Sequence, residues 1–113
     1  MESKLAVDRL AALAQGTRLA VFRLLVQAGP KGLCAGDIGS QLRLAAPTLS
    51  FHLKELSHAG LVNSRQEGRF VFYASNYDAM NELLAYLTEN CCGGAPCEVT
   101  CAPAKTTSRR KQS

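Results

Sequence analysis

The sequence predicts a mostly α chain carrying one β-hairpin, arranged as a winged helix-turn-helix: four helices, a hairpin, then a fifth helix. Three observations predict it. Apolar residues recur at helical spacing through the first sixty positions. Two short helical segments are joined by only three residues, Arg43 to Ala45. The period then switches to two around a glycine turn before helical spacing returns.

Each element has its own signal. Ala6, Leu10, Leu13 and Ala14 place a first helix over residues 4–14. Thr17 is the expected cap of a second, central helix that carries Leu19, Val21, Phe22, Leu24, Leu25 and Val26. Gly29 and Pro30 stop it. Residues 33–42 read as a short third helix with Ile38 and Leu42 four apart. A fourth begins near Pro47, where a missing N–H costs nothing, and Leu49, Leu53 and Leu56 line its inner side up to Gly60. Leu61 to Arg65 and Arg69 to Ala74 then form a hairpin about Gly68, with Phe70 and Phe72 alternating with Val71 and Tyr73. Ser75 and Asp78 have the spacing of a capping box. The fifth helix follows, with Tyr77, Met80, Leu83, Leu84 and Leu87 on one stripe, and is expected to end near Asn90.

Composition limits the function. The chain has 113 residues. That suits one domain over residues 1–92 and a tail over 93–113, cysteine-containing at first and expected to be disordered from 102 onward. The net charge of +4 resides in Lys105, Arg109, Arg110 and Lys111. Within the remainder, residues 1–69 carry nine Lys/Arg against five Asp/Glu, whereas residues 70–104 carry Asp78, Glu82, Glu89 and Glu98 and no cation. The first part therefore faces a polyanion more readily. No apolar run is long enough to span a membrane, and the N-terminus has no signal-peptide pattern. A cytoplasmic protein with reduced thiols is expected. No cysteine is flanked by an activating base, so no enzyme is expected.

A short helix that braces a second one in the major groove makes a DNA-reading unit. With the leucines turned inward, Thr48, Ser50, Phe51, Lys54 and Glu55 lie on the other faces of the fourth helix. Hydroxyl residues near its start suit phosphate and base contacts. Phe51 fits either contact with a thymine methyl or packing under the wing. His52 fits either the edge of the core or a DNA contact. Arg65 and Arg69 flank the hairpin, placed for phosphate or minor-groove contact.

These residues carry a resemblance. Residues 17–25 (Thr-Arg-Leu-Ala-Val-Phe-Arg-Leu-Leu), residues 48–62 (Thr-Leu-Ser-Phe-His-Leu-Lys-Glu-Leu-Ser-His-Ala-Gly-Leu-Val) and Gly68-Arg69 with its following aromatics resemble the ArsR/SmtB family of metalloregulators over about residues 5–92. The resemblance implies a homodimer through the first and fifth helices. It also implies an inverted-repeat operator in double-stranded DNA, held by the metal-free protein and released on metal binding. Two positions depart from the family pattern: Phe51 stands where members often carry arginine, and Gln15-Gly16 precedes Thr17 in place of Asp-Pro or Asp-Glu.

Five cysteines are present, and Cys91, Cys92, Cys97 and Cys101 fall within eleven residues. Zinc sensors of the family use histidines on the fifth helix, which has none here. One arsenic-sensing type uses a Leu-Cys-x-Cys-Asp pattern; Leu33-Cys34-Ala35-Gly36-Asp37 keeps one cysteine of it, so Cys34 is expected to be a buried core thiol. A second type has a vicinal pair at the end of the fifth helix and a third cysteine beyond, which Cys91, Cys92 and Cys97 resemble. The chemistry agrees independently. Thiolates select soft ions, and As(III) or Sb(III) takes three of them in a pyramid. Neighbouring helical residues point about 100° apart, so the pair converges only where the helix frays. Gly93, Gly94 and Pro96 favour that. Cys101 is an optional fourth ligand, for a tetrahedral ion. The alternatives are a thiol-redox trigger, another soft metal, or a winged-helix module that binds protein.

Overall fold

The computed structural model describes residues 1–94. In chain order the elements are α1 (Ser3–Leu13), α2 (Gly16–Ala28), β1 (Leu33–Cys34), α3 (Ala35–Leu42), α4 (Ala46–His58), β2 (Val62–Glu67), β3 (Phe70–Ser75) and α5 (Tyr77–Leu87), closed by a short 3₁₀ turn at Cys91–Gly94. Five helices are joined by a small antiparallel sheet of order β1-β3-β2, whose hairpin is largely exposed. The winged helix-turn-helix expected from the sequence is present.

The core is one cluster. Val21 and Leu25 of α2, Ile38 of α3, Leu49, Leu53 and Leu56 of α4, and Leu61 beyond it meet there. The leucines of α4 are the three the helical spacing selects, and burying them fixes which face of α4 looks outward. α4 ends in a tight reversal: Gly60 N–H donates to Ser57 O at 2.9 Å and Leu61 N–H to Leu56 O at 3.0 Å. Gly60 takes φ +78° there, and Leu56 and Leu61 both lie in the core. That pattern is a Schellman cap with its apolar contact.

Five local expectations are corrected. Gln15, not Thr17, caps α2, its side chain accepting from Arg18 N–H at 2.8 Å. Leu33 and Cys34 are not helical: they pair with Tyr73 and Phe72 of β3. Leu33 packs on the core from this strand, and that tertiary contact overrides local preference. Cys34 is accordingly half-buried rather than enclosed. α5 is capped by Asn76, whose Oδ1 accepts from Ala79 N–H at 3.2 Å, in place of Ser75. Finally, α5 stops at Leu87, three residues before Asn90.

The apolar stripes of α1 and α5 divide. Met80 and Leu83 turn to the interior, while Leu84 and Leu87 are 53 % and 54 % exposed. On α1, Ala6 and Ala12 are buried, while Val7 and Leu10 are 59 % and 41 % exposed. Each helix thus carries a pair of large apolar side chains, three residues apart, that the described residues leave largely exposed. No helix among the described residues is long and apolar enough to cross a membrane.

Candidate nucleic-acid interface

The turn between α3 and α4 is set by backbone constraints. Arg43 adopts a left-handed conformation (φ 57°, ψ 50°), and Leu44 N–H donates to Gly39 O at 2.9 Å. A β-carbon on Gly39 would stand 3.1 Å from Leu44 O, so a small residue lets the two helices close tightly. α4 then starts with Pro47 in its first turn and no acidic residue there. The positive end of the helix dipole is therefore not offset by a carboxylate.

Thr48, Ser50, Phe51 and Lys54 are all exposed on α4, opposite the buried leucines. Phe51, at 55 % exposure, is a large apolar group held in solvent on an otherwise polar face. His52 is placed differently. It is buried at the edge of the core, with its Nδ1 3.3 Å from Arg18 Nη1 and the Phe51 ring edge-on at 5.3 Å. Arg18 is itself anchored, donating from Nε to Ala12 O at 2.7 Å.

The two hairpin arginines also divide. Gly68 turns the β2–β3 hairpin at φ +62°, leaving Arg69 exposed at its tip. Arg65 lies further back. Its guanidinium sits 5.1 Å from the centre of the Phe72 ring, and Nη2 donates to Lys31 O at 2.7 Å. Nε pairs with Glu67 Oε2. Arg65 thus ties the hairpin to the turn after α2. Glu67 is a near neighbour on the same strand, but Lys31 lies 34 positions away and Phe72 lies across the hairpin, and no local pattern indicates either contact.

Beyond α5 the chain leaves regular helix before it reaches the cysteines. Asn90, Cys92 and Gly93 take positive φ values of 59°, 57° and 66°. Cys91 and Cys92 are exposed on this irregular turn. Among the described residues no three His, Cys, Asp or Glu side chains are grouped to hold a metal ion. Cys97 and Cys101 lie outside the described residues, as do the expectations for the tail from residue 95 onward.

Known proteins share both sequence and fold. A helix-turn-helix domain family matches residues 13–65. A helix-turn-helix transcriptional regulator of Methanocaldococcus jannaschii is 33% identical over 84 residues, covering 74% of this chain and 92% of that protein. The arsenical resistance operon repressor of Staphylococcus aureus is 32% identical over 75 residues, 66% of this chain and 69% of the repressor. Among solved structures, an ArsR-like transcriptional regulator from Rhodococcus sp. RHA1 superposes with a TM-score of 0.67 at 25% identity, over 74% of this chain and 76% of that one. Reduced HlyU from Vibrio cholerae gives 0.62 at 34% identity, over 80% and 92%.

The chain belongs to the ArsR family of DNA-binding transcriptional regulators. Its function is regulatory and not enzymatic. In ArsR-family terms α3 and α4 are the helix-turn-helix, α4 is the reading helix, and β2–β3 is the wing. Sequence reasoning found α4 and the hairpin. It missed Arg9 and Arg18, whose roles depend on partners remote in the chain.

Proposed function

We propose that this ArsR-family protein is a homodimeric repressor that releases its operator when As(III) or Sb(III) binds Cys91, Cys92 and Cys97. One observation carries the reading: α5 ends at Leu87, and the backbone reverses through left-handed residues at the vicinal thiols. On a continuing helix the two sulfurs would diverge; on this turn they are free of that constraint. Three thiolates suit a soft trivalent ion. Names among the relatives agree, since an arsenical resistance operon repressor and an arsenic resistance regulator of Pseudomonas putida are both similar to this chain.

The paired exposed side chains Val7 and Leu10 on α1, and Leu84 and Leu87 on α5, support dimerisation through those helices. Ion binding then acts next to the interface. Closing a clamp at the end of α5 shifts that helix against its twin and re-spaces the two reading heads. The coupling is reciprocal: DNA must weaken ion binding by the same factor. A hundredfold loss of operator affinity corresponds to about 2.7 kcal/mol.

The test is a fluorescence titration of labelled upstream DNA with arsenite, under reducing conditions. Wild type is expected to lose affinity about a hundredfold, a coupling within the usual allosteric range. Cys91→Ser is expected to bind DNA normally and ignore arsenite. Equal release of both proteins would sink the clamp. The HlyU neighbour solved in a reduced form supports a second reading, a thiol-redox trigger on the same turn. Peroxide in place of arsenite, with non-reducing mass measurement, separates the two.

DNA contact in this reading comes from Thr48, Ser50, Phe51 and Lys54 on α4 and from Arg69 on the wing. Lys54→Ala is expected to weaken binding to all sequences alike and to lower the slope of log K against log salt by about 0.9, the loss of one phosphate contact. An unchanged slope would place Lys54 off the backbone.

A further inference from the structure

Arg9 is a charged side chain only 8 % exposed, and it bonds its own helix, α1, to two others. It springs from α1. Nε donates to Ala59 O at 3.2 Å, the residue that ends α4. Nη1 donates to Ala79 O at 3.3 Å and to Glu82 Oε1 at 3.2 Å, both on α5. The guanidinium also lies against Gly60, where an added β-carbon would be 3.4 Å from Nη2. Burying a cation is costly, and a buried ion pair is by itself weak evidence of a gain in stability. What the planar fork supplies is direction: several donors in fixed geometry, aimed at acceptors on two other helices.

We propose that Arg9 is a positioning residue that sets the angle of the reading helix against the α1–α5 platform. The inference rests on the reading of the protein as a dimer with two reading heads. α1 and α5 present the exposed apolar pairs, and α4 presents the polar face. Arg9 holds α4 at its C-terminal end, where a cation also meets the negative end of the helix dipole. Asn76 grips the next residue, its Nδ2 donating to Gly60 O at 3.0 Å, and its N–H donates to Leu61 O at 2.8 Å. The reading residues lie toward the other end of the helix. At 1.5 Å per residue, a helix of this length is roughly 20 Å long, so a tilt of about 10° at Ala59 displaces its start by about 3 Å. That is close to the rise of one base pair, about 3.4 Å. A small change in this hinge therefore alters which half-site spacing the dimer fits.

The experiment uses the full chain and a duplex selected by the wild-type protein from random DNA. Versions of that duplex carry one base pair added or removed between half-sites, which rotates one relative to the other by about 35°. Wild type is expected to prefer the selected spacing by about thirtyfold, some 2 kcal/mol. Arg9→Lys keeps the charge but not the fork, and its preference is expected to fall to about threefold while its dimer mass and far-UV spectrum stay unchanged. Glu82 is well exposed, so Glu82→Gln leaves the fold intact and supplies a milder version, with an intermediate preference. If Arg9→Lys and Glu82→Gln lose affinity by one factor at every spacing, or lose none, the positioning role is wrong. If wild type is itself indifferent to spacing, the two-headed reading fails and the proposal falls with it; a selective wild type with equally selective variants overturns the proposal alone.

Discussion

Replacing both Leu84 and Leu87 with glutamate is expected to give a folded monomer that binds operator DNA at least about a hundredfold more weakly, a loss of roughly 2.7 kcal/mol or more. The fold survives because both side chains are more than half exposed in the isolated chain, so neither change leaves a cavity. Association fails for two reasons. Each fully buried leucine contributes about 1.5–3 kcal/mol through its apolar surface, and that contribution disappears on both copies. In a two-fold interface a patch meets its own copy, so new carboxylates are brought together with like charges. A monomer holds one half-site and loses the second as an intramolecular event. Sedimentation gives the mass, thermal unfolding the integrity, and gel shift the affinity. A dimer of undiminished affinity would place the interface elsewhere.

Gly32→Ala is expected to destabilise the domain by about 3 kcal/mol, combining left-handed backbone strain with overpacking. Gly32 has φ +72°, and an added β-carbon would lie 2.2 Å from Tyr73 O, 2.9 Å from Tyr73 C and 3.3 Å from Ala74 Cβ. Two of these atoms are backbone. They cannot withdraw without breaking the pairing of Leu33 with Tyr73, which anchors β1 and with it the start of α3. For a domain of this size the cost is a fall in Tm of roughly 12–24 °C. Gly68→Ala is the internal control. Its φ is also positive, at +62°, but nothing stands within 4 Å of the new carbon. Only the backbone strain applies there, about 1–2 kcal/mol. Urea unfolding of the two variants separates strain from collision; equal losses would mean that the β1–β3 approach is looser than these distances.

Much of the DNA-reading unit is legible in the order of residues alone. Leu49, Leu53 and Leu56 stand at helical spacing and are all buried, and the Arg43–Ala45 turn falls between the two helices it is expected to join. Such features depend on how a segment partitions between core and water, which periodicity reports directly. The stripes on α1 and α5 are less informative. Spacing marks Leu83, Leu84 and Leu87 as apolar but does not say that Leu83 turns inward while the other two remain uncovered.

The candidate site shows the same division. Thr48, Ser50, Phe51 and Lys54 face outward as a direct consequence of the inward leucines. The two readings of His52 do not separate locally, because its surroundings come from Arg18, 34 positions away. Arg65 and Arg69 look equivalent in sequence. One is held by Lys31 O and Phe72, and the other is exposed at the hairpin tip.

By itself, then, the sequence determined the five helices and the hairpin in their order, the helix-turn-helix they build, and the clustering of thiols after α5. The tertiary structure decided that Leu33–Cys34 is a strand, that Arg9 joins three helices, and which apolar side chains stay in the open. The reason is range. Periodicity and turn chemistry are properties of neighbouring residues, whereas the partners of Arg9 lie 50 and 70 positions along the chain and meet it only once the helices have packed.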